Sequence, residues 1–217
     1  MFKGPFEHSI IKRAKEKGLI KIKITDIREF GIGTHKTVDD KPYGGGVGML
    51  MRVDVVKAAI DGARDKNFSK DREKVILLSA AGEKYTQQKA EAYSKLSHLI
   101  LVCGHYEGVD SRIENFVSEE ISIGDFVLTG GEIPAMIVAD SVSRLVSDVL
   151  KTDATQKESF SENLLEHRQY TKPQAFEGIE VPKVLLSGNH KKIEEWRKKE
   201  SIQKTKENRP DLIKDRR

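Results

Sequence analysis

Three short apolar runs constrain what this chain can fold into more than any other feature. Lys74 to Ser79 leads into LLSAAG, His98 to Cys103 runs directly into GHYEG, and Ile121 to Pro134, ISIGDFVLTGGEIP, turns through Gly130-Gly131 into a helix. Each is nearly continuous in apolar residues, as expected of a strand buried on both faces. Helical periodicity lies between them: Val56, Ala59, Ile60 and Ala63 within Val53 to Lys66, then a helix over Gln87 to Lys95. Alternation of this kind implies an α/β fold with a parallel sheet, whose ligands gather beyond the carboxyl ends of the strands. All three strands are expected to break into glycine-bearing loops, where backbone approaches a ligand with no Cβ in the way.

The flanking segments fill in the frame. Phe6 to Lys17 reads as a short helix ended by Gly18, and Ile20, Ile22 and Ile24 alternate with polar residues as in a half-exposed strand. Asp26 to Met51 lacks period and forms a long loop holding His35, Asp39, Asp40 and PYGGGVGM, a length that usually signals function. Asp110 caps a short helix through Ile113 and Phe116. A helix from Glu132 to about Val149 carries apolar residues around much of its circumference and is expected to be well buried. Its Asp140 and Arg144 stand one turn apart, the spacing of an ordinary ion pair. KTDATQKESFS, residues 151–161, is the best linker, and beyond it a helix from Asn189 to Glu200 turns Ile193 and Trp196 inward.

Composition narrows the partners. The 217 residues carry a net charge of +4, unevenly: 10 Lys/Arg against 6 Asp/Glu in residues 1–41, 11 against 6 in 191–217, and an acidic middle. Basic ends fit a polyanion gripped at the edges of an enzyme body, and equally fit solvated lysine-rich helices. One cysteine, Cys103, inside LILVCG, excludes a disulfide and suits a reducing, cytoplasmic compartment. No apolar run has the length of a membrane span, and MFKGPFEHS has no signal-like centre. There is no GxxxxGK[ST] loop, no G-x-S-x-G elbow, and no ligand spacing among the six histidines. A mid-sized ligand that is not a polyphosphate suits the glycine loops best.

The combination TVDDKPYGGGVGMLM, LILVCGHYEGVDSRI, ISIGDFVLTGGEIPAM, DSVSR, SFSENLLEHRQYTKP and VPKVLLSGNH resembles the bacterial tRNA (guanine-N1)-methyltransferase family over nearly the whole chain. The resemblance implies a SPOUT-superfamily homodimer: residues 1–150 a domain with a trefoil knot that binds S-adenosylmethionine, 151–161 a flexible linker, and 162–217 a small, mainly helical RNA-binding domain. It implies methylation of N1 of the guanosine immediately 3′ of the anticodon in tRNA, with magnesium dependence and no dedicated metal site. A noncatalytic RNA-binding protein on the same scaffold and a methyltransferase for another RNA base are the rival readings.

By the same resemblance the cofactor pocket comprises Leu78 and Ser79, Gly104, Tyr106 and Glu107, then Ile123, Gly124, Asp125, Phe126, Val127 and Leu128, with Gly130, Gly131 and Pro134. Asp40, Tyr43, Gly44 and Gly45 are the implied substrate contacts. Neutral guanine carries a proton on N1, so methylation there needs a base near the nitrogen and a cation near O6. The implied base is Glu158, where the family usually has aspartate, with Asp153 as the fallback, and the implied cation is Arg144. The family opens with a hydrophobic strand before Phe-Pro-x-Met-Phe, whereas this chain begins at Met1-Phe2. The first strand is therefore expected to be missing and the 217-residue form to be poorly soluble.

Overall fold

The computed structural model describes residues 1–217 except 3, 66, 152–154, 156–157, 161–162 and 215–217. It divides into two compact units, Met1–Leu150 and Lys151–Arg217.

In the first unit a three-stranded parallel sheet has the order β4-β3-β5, with β3 at Glu73–Lys84, β4 at His98–Cys103 and β5 at Glu119–Ser122. Period-two alternation sends Val75 and Leu77 to one face and Ile76 and Leu78 to the other, and both faces are covered. Val75 and Leu77 pack with Val56 and Ile60 of α2, Val53–Ala63, and with Ile113. Ile76 and Leu78 pack with Tyr93 of α3, Gln87–Tyr93, and with Ala135 and Val138 of α4, Glu132–Ser143. Full burial of a side chain such as Ile76 contributes about 1.5–3 kcal/mol. These two apolar layers are why the strands read as continuous hydrophobic runs. Helix α1, Ser9–Glu16, buries Ile11 and Ala14.

β3 departs from expectation in a way that shapes the site. It pairs with β5 through Leu78↔Ile121, shifts register, and resumes at Glu83↔Ile121. Residues 79–82 are thrown out as a bulge instead of ending the strand. Ser79 Oγ accepts the Ala81 N–H at 3.1 Å, and the backbone of Glu120 and Ile121 runs so close to Gly82 that a Cβ there has no room.

Other expectations are corrected. Ile20 to Ile24 lies outside any strand: alternation favours extended backbone, but a ladder needs a neighbour, and none of the described residues pairs with it. The third strand begins at Glu119, earlier than its apolar run, and stops at Ser122. There Ser122 Oγ donates to Gly124 O at 2.9 Å and Gly124 takes φ +154, turning the chain away. Helix α4 ends at Ser143, not near Val149, because the next N–H groups bond three residues back, Leu145 to Val142 and Val146 to Ser143, before Asp148 enters the left-handed region. Its burial is one-sided, since Ile133 and Ile137 are exposed. Within the long loop, β1 (Asp39–Asp40) and β2 (Leu50–Met51) form a short antiparallel pair.

The second unit is built on α5, His190–Asn208, longer than expected and capped by the Asn189 side chain, which accepts the Lys192 N–H at 3.1 Å. An extended stretch runs along it: the Leu165 N–H donates to Thr205 Oγ1 at 2.9 Å, Ser201 Oγ donates to Leu165 O at 2.5 Å, and Arg168 pairs with Glu200 and Glu207. A hairpin of β6 (Ala175–Phe176) and β7 (Ile179–Glu180) turns through Glu177 and Gly178, both at positive φ. Helix α6, Asp211–Lys214, follows α5.

One charged cluster in the first unit sets an acid limit. Glu119 of β5 accepts from Lys74 and from Lys89, each at 2.6 Å. Burial alone would raise this carboxyl, but the Lys74 and Lys89 hydrogen bonds outweigh it and bring it down to about 2 from the usual 4.5. With the folded value depressed, the stabilisation is present above pH 4.5 and is lost as the pH falls towards 2. Glu119→Gln should destabilise the protein by about 2 kcal/mol at pH 7. In denaturant melts at several pH values, the gap between parent and variant should close on acidification through that window.

Candidate functional site

Beyond the carboxyl ends of β3, β4 and β5 lies a cavity of about 440 Å³. Four pieces of backbone enclose it. The β3 bulge supplies Leu78, Ser79, Ala80 and Ala81. The turn after β4 supplies Gly104 to Val109. The segment after β5 supplies Ile123, Gly124, Phe126, Val127 and Leu128, and the entry to α4 supplies Gly130, Gly131 and Pro134. Of the cofactor residues read from sequence, all but Asp125 line this one cavity. Asp125 points to solvent, with its side chain 94% exposed and 3.8 Å from Lys84.

Close backbone approach holds the walls together. The Gly131 N–H donates to Gly104 O at 2.8 Å, and a Cβ on Gly131 would sit 2.7 Å from Cys103 Cα, so only glycine fits. The turn after β4 is tied to the long loop as well: the Glu107 N–H donates to Met49 O at 3.1 Å, the Met51 N–H donates to Gly108 O at 2.9 Å, and the Glu107 side chain lies directly against Gly48. Asp110, whose carboxylate accepts the Arg112 N–H at 3.0 Å, caps the 3-10 turn Ser111–Phe116 that contributes Ser111, Ile113 and Glu114 to the cavity.

The electrostatics have one sign. Glu107, Glu114 and Glu120 line the cavity, and no lysine or arginine does. A cationic ligand of roughly drug size fits such a space, with aliphatic walls at Leu78, Ile123 and Leu128 for a flat ring. Cys103, at the end of β4, has its thiol pushed up to about 12 by burial and by the Glu132 carboxylate, which removes it as a nucleophile at neutral pH.

Sequence reasoning missed His105 and Glu132. His105 Nε2 and Glu132 Oε1 are 2.6 Å apart, joining the turn after β4 to the first turn of α4. Both residues sat inside quoted motifs, but their 27-residue separation carried no sign that they meet. The remaining candidates lie elsewhere. Asp40 pairs with Arg52 at 3.2 Å, and Tyr43, fully exposed, with Gly44 and Gly45 at positive φ, forms the outward tip between β1 and β2. Arg144 is the first residue after α4, its N–H donating to Asp140 O at 3.1 Å. Glu158, in the second unit, is half-buried beside Ser159, whose Oγ accepts the Glu166 N–H at 3.0 Å. Asp153 and much of the expected linker lie outside the described residues. Among the described residues no group of three or more His, Cys, Asp or Glu is placed to hold a metal ion, and no helix is long and apolar enough to cross a membrane.

Two measurements probe these walls. Gly131→Ala, which drives a methyl into the Cys103 and Gly104 backbone, should cost about 2 kcal/mol or more in chemical denaturation. Cys103 should resist iodoacetamide at pH 8 in the native protein and react fully once the protein is unfolded.

The same loops and walls recur in known proteins. The family model described as tRNA (Guanine-1)-methyltransferase TrmD matches residues 1–215. A tRNA (guanine-N(1)-)-methyltransferase of Dictyoglomus turgidum is 51% identical over 214 residues, covering 98% of this chain and 85% of that one. The like-named proteins of Bacillus pumilus and Bacillus subtilis are 53% and 51% identical, covering 98% and 99% of this chain and 87% and 88% of theirs. With a family match spanning nearly every residue and half of all positions shared with curated relatives, the chain belongs to the tRNA (guanine-N1)-methyltransferase family of enzymes.

Proposed function

We propose that this enzyme methylates N1 of the guanosine immediately 3′ of the anticodon in tRNA, using S-adenosylmethionine held in the cavity beyond the sheet. The observation that carries the donor site is the acidic cavity, closed by glycines that leave no room for a Cβ and lined by aliphatic residues. Adenine suits backbone groups and aliphatic walls, and the cationic end of the donor suits Glu107, with Glu114 and Glu120 nearby in the lining. When bound, S-adenosylmethionine supplies a methyl group on a sulfonium sulfur.

The protein's own part is proton and charge management on the base. Glu158 removes the N1 proton of guanine, leaving a lone pair in the ring plane to attack the methyl carbon and negative charge on O6. Arg144 stabilises that oxygen, a change from the simple helix ion pair that its spacing suggests. Glutamate at 158 has the basicity of the usual aspartate and one more methylene of reach. Residues 1–150 serve as the donor-binding domain in a trefoil knot, 162–217 as the tRNA-binding domain, and 151–161 as a linker whose ordering on RNA assembles the site. Asp40, Tyr43, Gly44 and Gly45 meet the tRNA. A homodimer is the working assembly, supported by the exposed Phe126, Val127, Ile133 and Ile137, apolar groups that a second copy would cover. Magnesium, implied by family resemblance, is given no residues.

Methyl transfer from labelled S-adenosylmethionine to a tRNA transcript with that guanosine, against one carrying adenosine there, tests the substrate, and mass mapping locates the methyl group. Incorporation only into the first transcript is the expected result, and equal incorporation into both would sink the assignment. In single turnover, Glu158→Gln and Arg144→Ala should each slow transfer about 100-fold or more. A parent-like rate for Glu158→Gln would move the base to Asp153.

A further inference from the structure

Two backbone contacts and one side-chain contact join the turn after β4 to the entry of α4. The backbone contacts are the Gly131 N–H to Gly104 O bond at 2.8 Å and the bridge between His105 and Gly130. Most residue types can make such bonds, so they do not explain the side chains chosen there. The side-chain contact is the 2.6 Å pair of His105 Nε2 with Glu132 Oε1, which straddles Gly130. A Cβ at Gly130 would lie 2.5 Å from Glu132 Oε2 and 2.8 Å from His105 Nε2, so the pair occupies the space that a side chain would take.

The chemistry of the pair is well matched. An ionised carboxylate only accepts, so Nε2 carries the proton and donates. Glu132 lies in the first turn of α4, where the helix dipole favours its negative charge. Its side chain is 18% exposed, dry enough for the bond to hold against water. His105 is held from a second side, since its N–H donates to Met51 Sδ at 3.2 Å and its ring stands 5.9 Å from that of Tyr106. The imidazole therefore connects β2, the turn after β4 and α4, which are three separate parts of the frame around the cavity.

We propose that His105 and Glu132 are a positioning pair for the methyl donor: their hydrogen bond sets the separation of the two glycine loops, and through it donor affinity, while neither takes part in proton transfer from guanine. This inference rests on the donor assignment made above. A binding wall built of backbone has no side chains to adjust, so a small increase in loop separation is lost contact along the whole face of the ligand. Because the pair acts before chemistry, it governs KM for the donor and not the methyl-transfer step.

Calorimetry with S-adenosylmethionine on the full chain and on His105→Ala, Glu132→Ala and the double variant tests this, with melting curves to verify folding. Each single variant should weaken donor binding about tenfold, and the double variant should be no weaker than the poorer single, as for two halves of one bond. His105→Gln, whose amide N–H reaches towards Glu132, should recover most of what His105→Ala loses. Should the alanine variants fail to fold, the isosteric Glu132→Gln carries the test, with about threefold weaker donor binding expected. In steady state, KM for S-adenosylmethionine should rise while kcat and KM for tRNA hold. Unchanged donor affinity, losses that multiply in the double variant, or a fall in kcat at constant KM would each overturn the pair's role. Failure of the parent chain to bind S-adenosylmethionine would instead overturn the donor assignment, and the pair's role with it.

Discussion

Gly131 lies against the backbone of Cys103 and Gly104, close enough that its N–H reaches Gly104 O at 2.8 Å and that no Cβ fits between them. This contact brings the start of α4 to the end of β4, and the cavity depends on it. With the two chains in register, Gly130 and Pro134 become wall residues, and α4 lies across the sheet so that Ala135 and Val138 reach Ile76 and Leu78. A side chain at 131 would open the wall and lift the helix from its core in one step. Packing on the sheet and the shape of the site are in this sense a single structural fact.

The sheet adds a second constraint through β3. Its central place gives it a ladder on both sides, and the ladder with β5 tolerates four extra residues only because Gly82 lets the strand return directly against Glu120 and Ile121. The extra residues, Ser79 to Gly82, present Ser79, Ala80 and Ala81 to the cavity. Small side chains at 80 and 81 leave volume for a ligand, so the bulge both widens the site and keeps the strand continuous. Charge is divided in a way that suits two different ligands. The cavity is lined by glutamates without a lysine or arginine, whereas basic residues are concentrated towards the chain ends. A cationic donor and an anionic RNA thus have separate complementary surfaces.

Much of this was legible in the residues. The three apolar runs, the cap at Asp110 and the helix at Val53 could be read because each depends on neighbours within a few positions. Motif resemblance brought thirteen residues of the cavity wall together in advance, Asp125 being the one donor candidate that points away. The failures share a cause. Ile20 to Ile24 has a strand's alternation without a partner, and Glu119 and Glu120 belong to a strand despite their charge because Lys74 and Lys89 neutralise the first of them from across the sheet. Both outcomes turn on what lies beside the segment in space.

By itself the sequence determined the α/β order, the two apolar faces of the central strand, the helix starts and the glycine positions where backbone can come close. These follow from periodicity, capping and the absence of a Cβ, all local properties of the chain. Tertiary structure alone decided that β3 would bulge and continue, that α4 would stop at Ser143, and that His105 would meet Glu132 across 27 residues. Those outcomes depend on register between strands and on backbone approach between loops, and neither is encoded within any one segment.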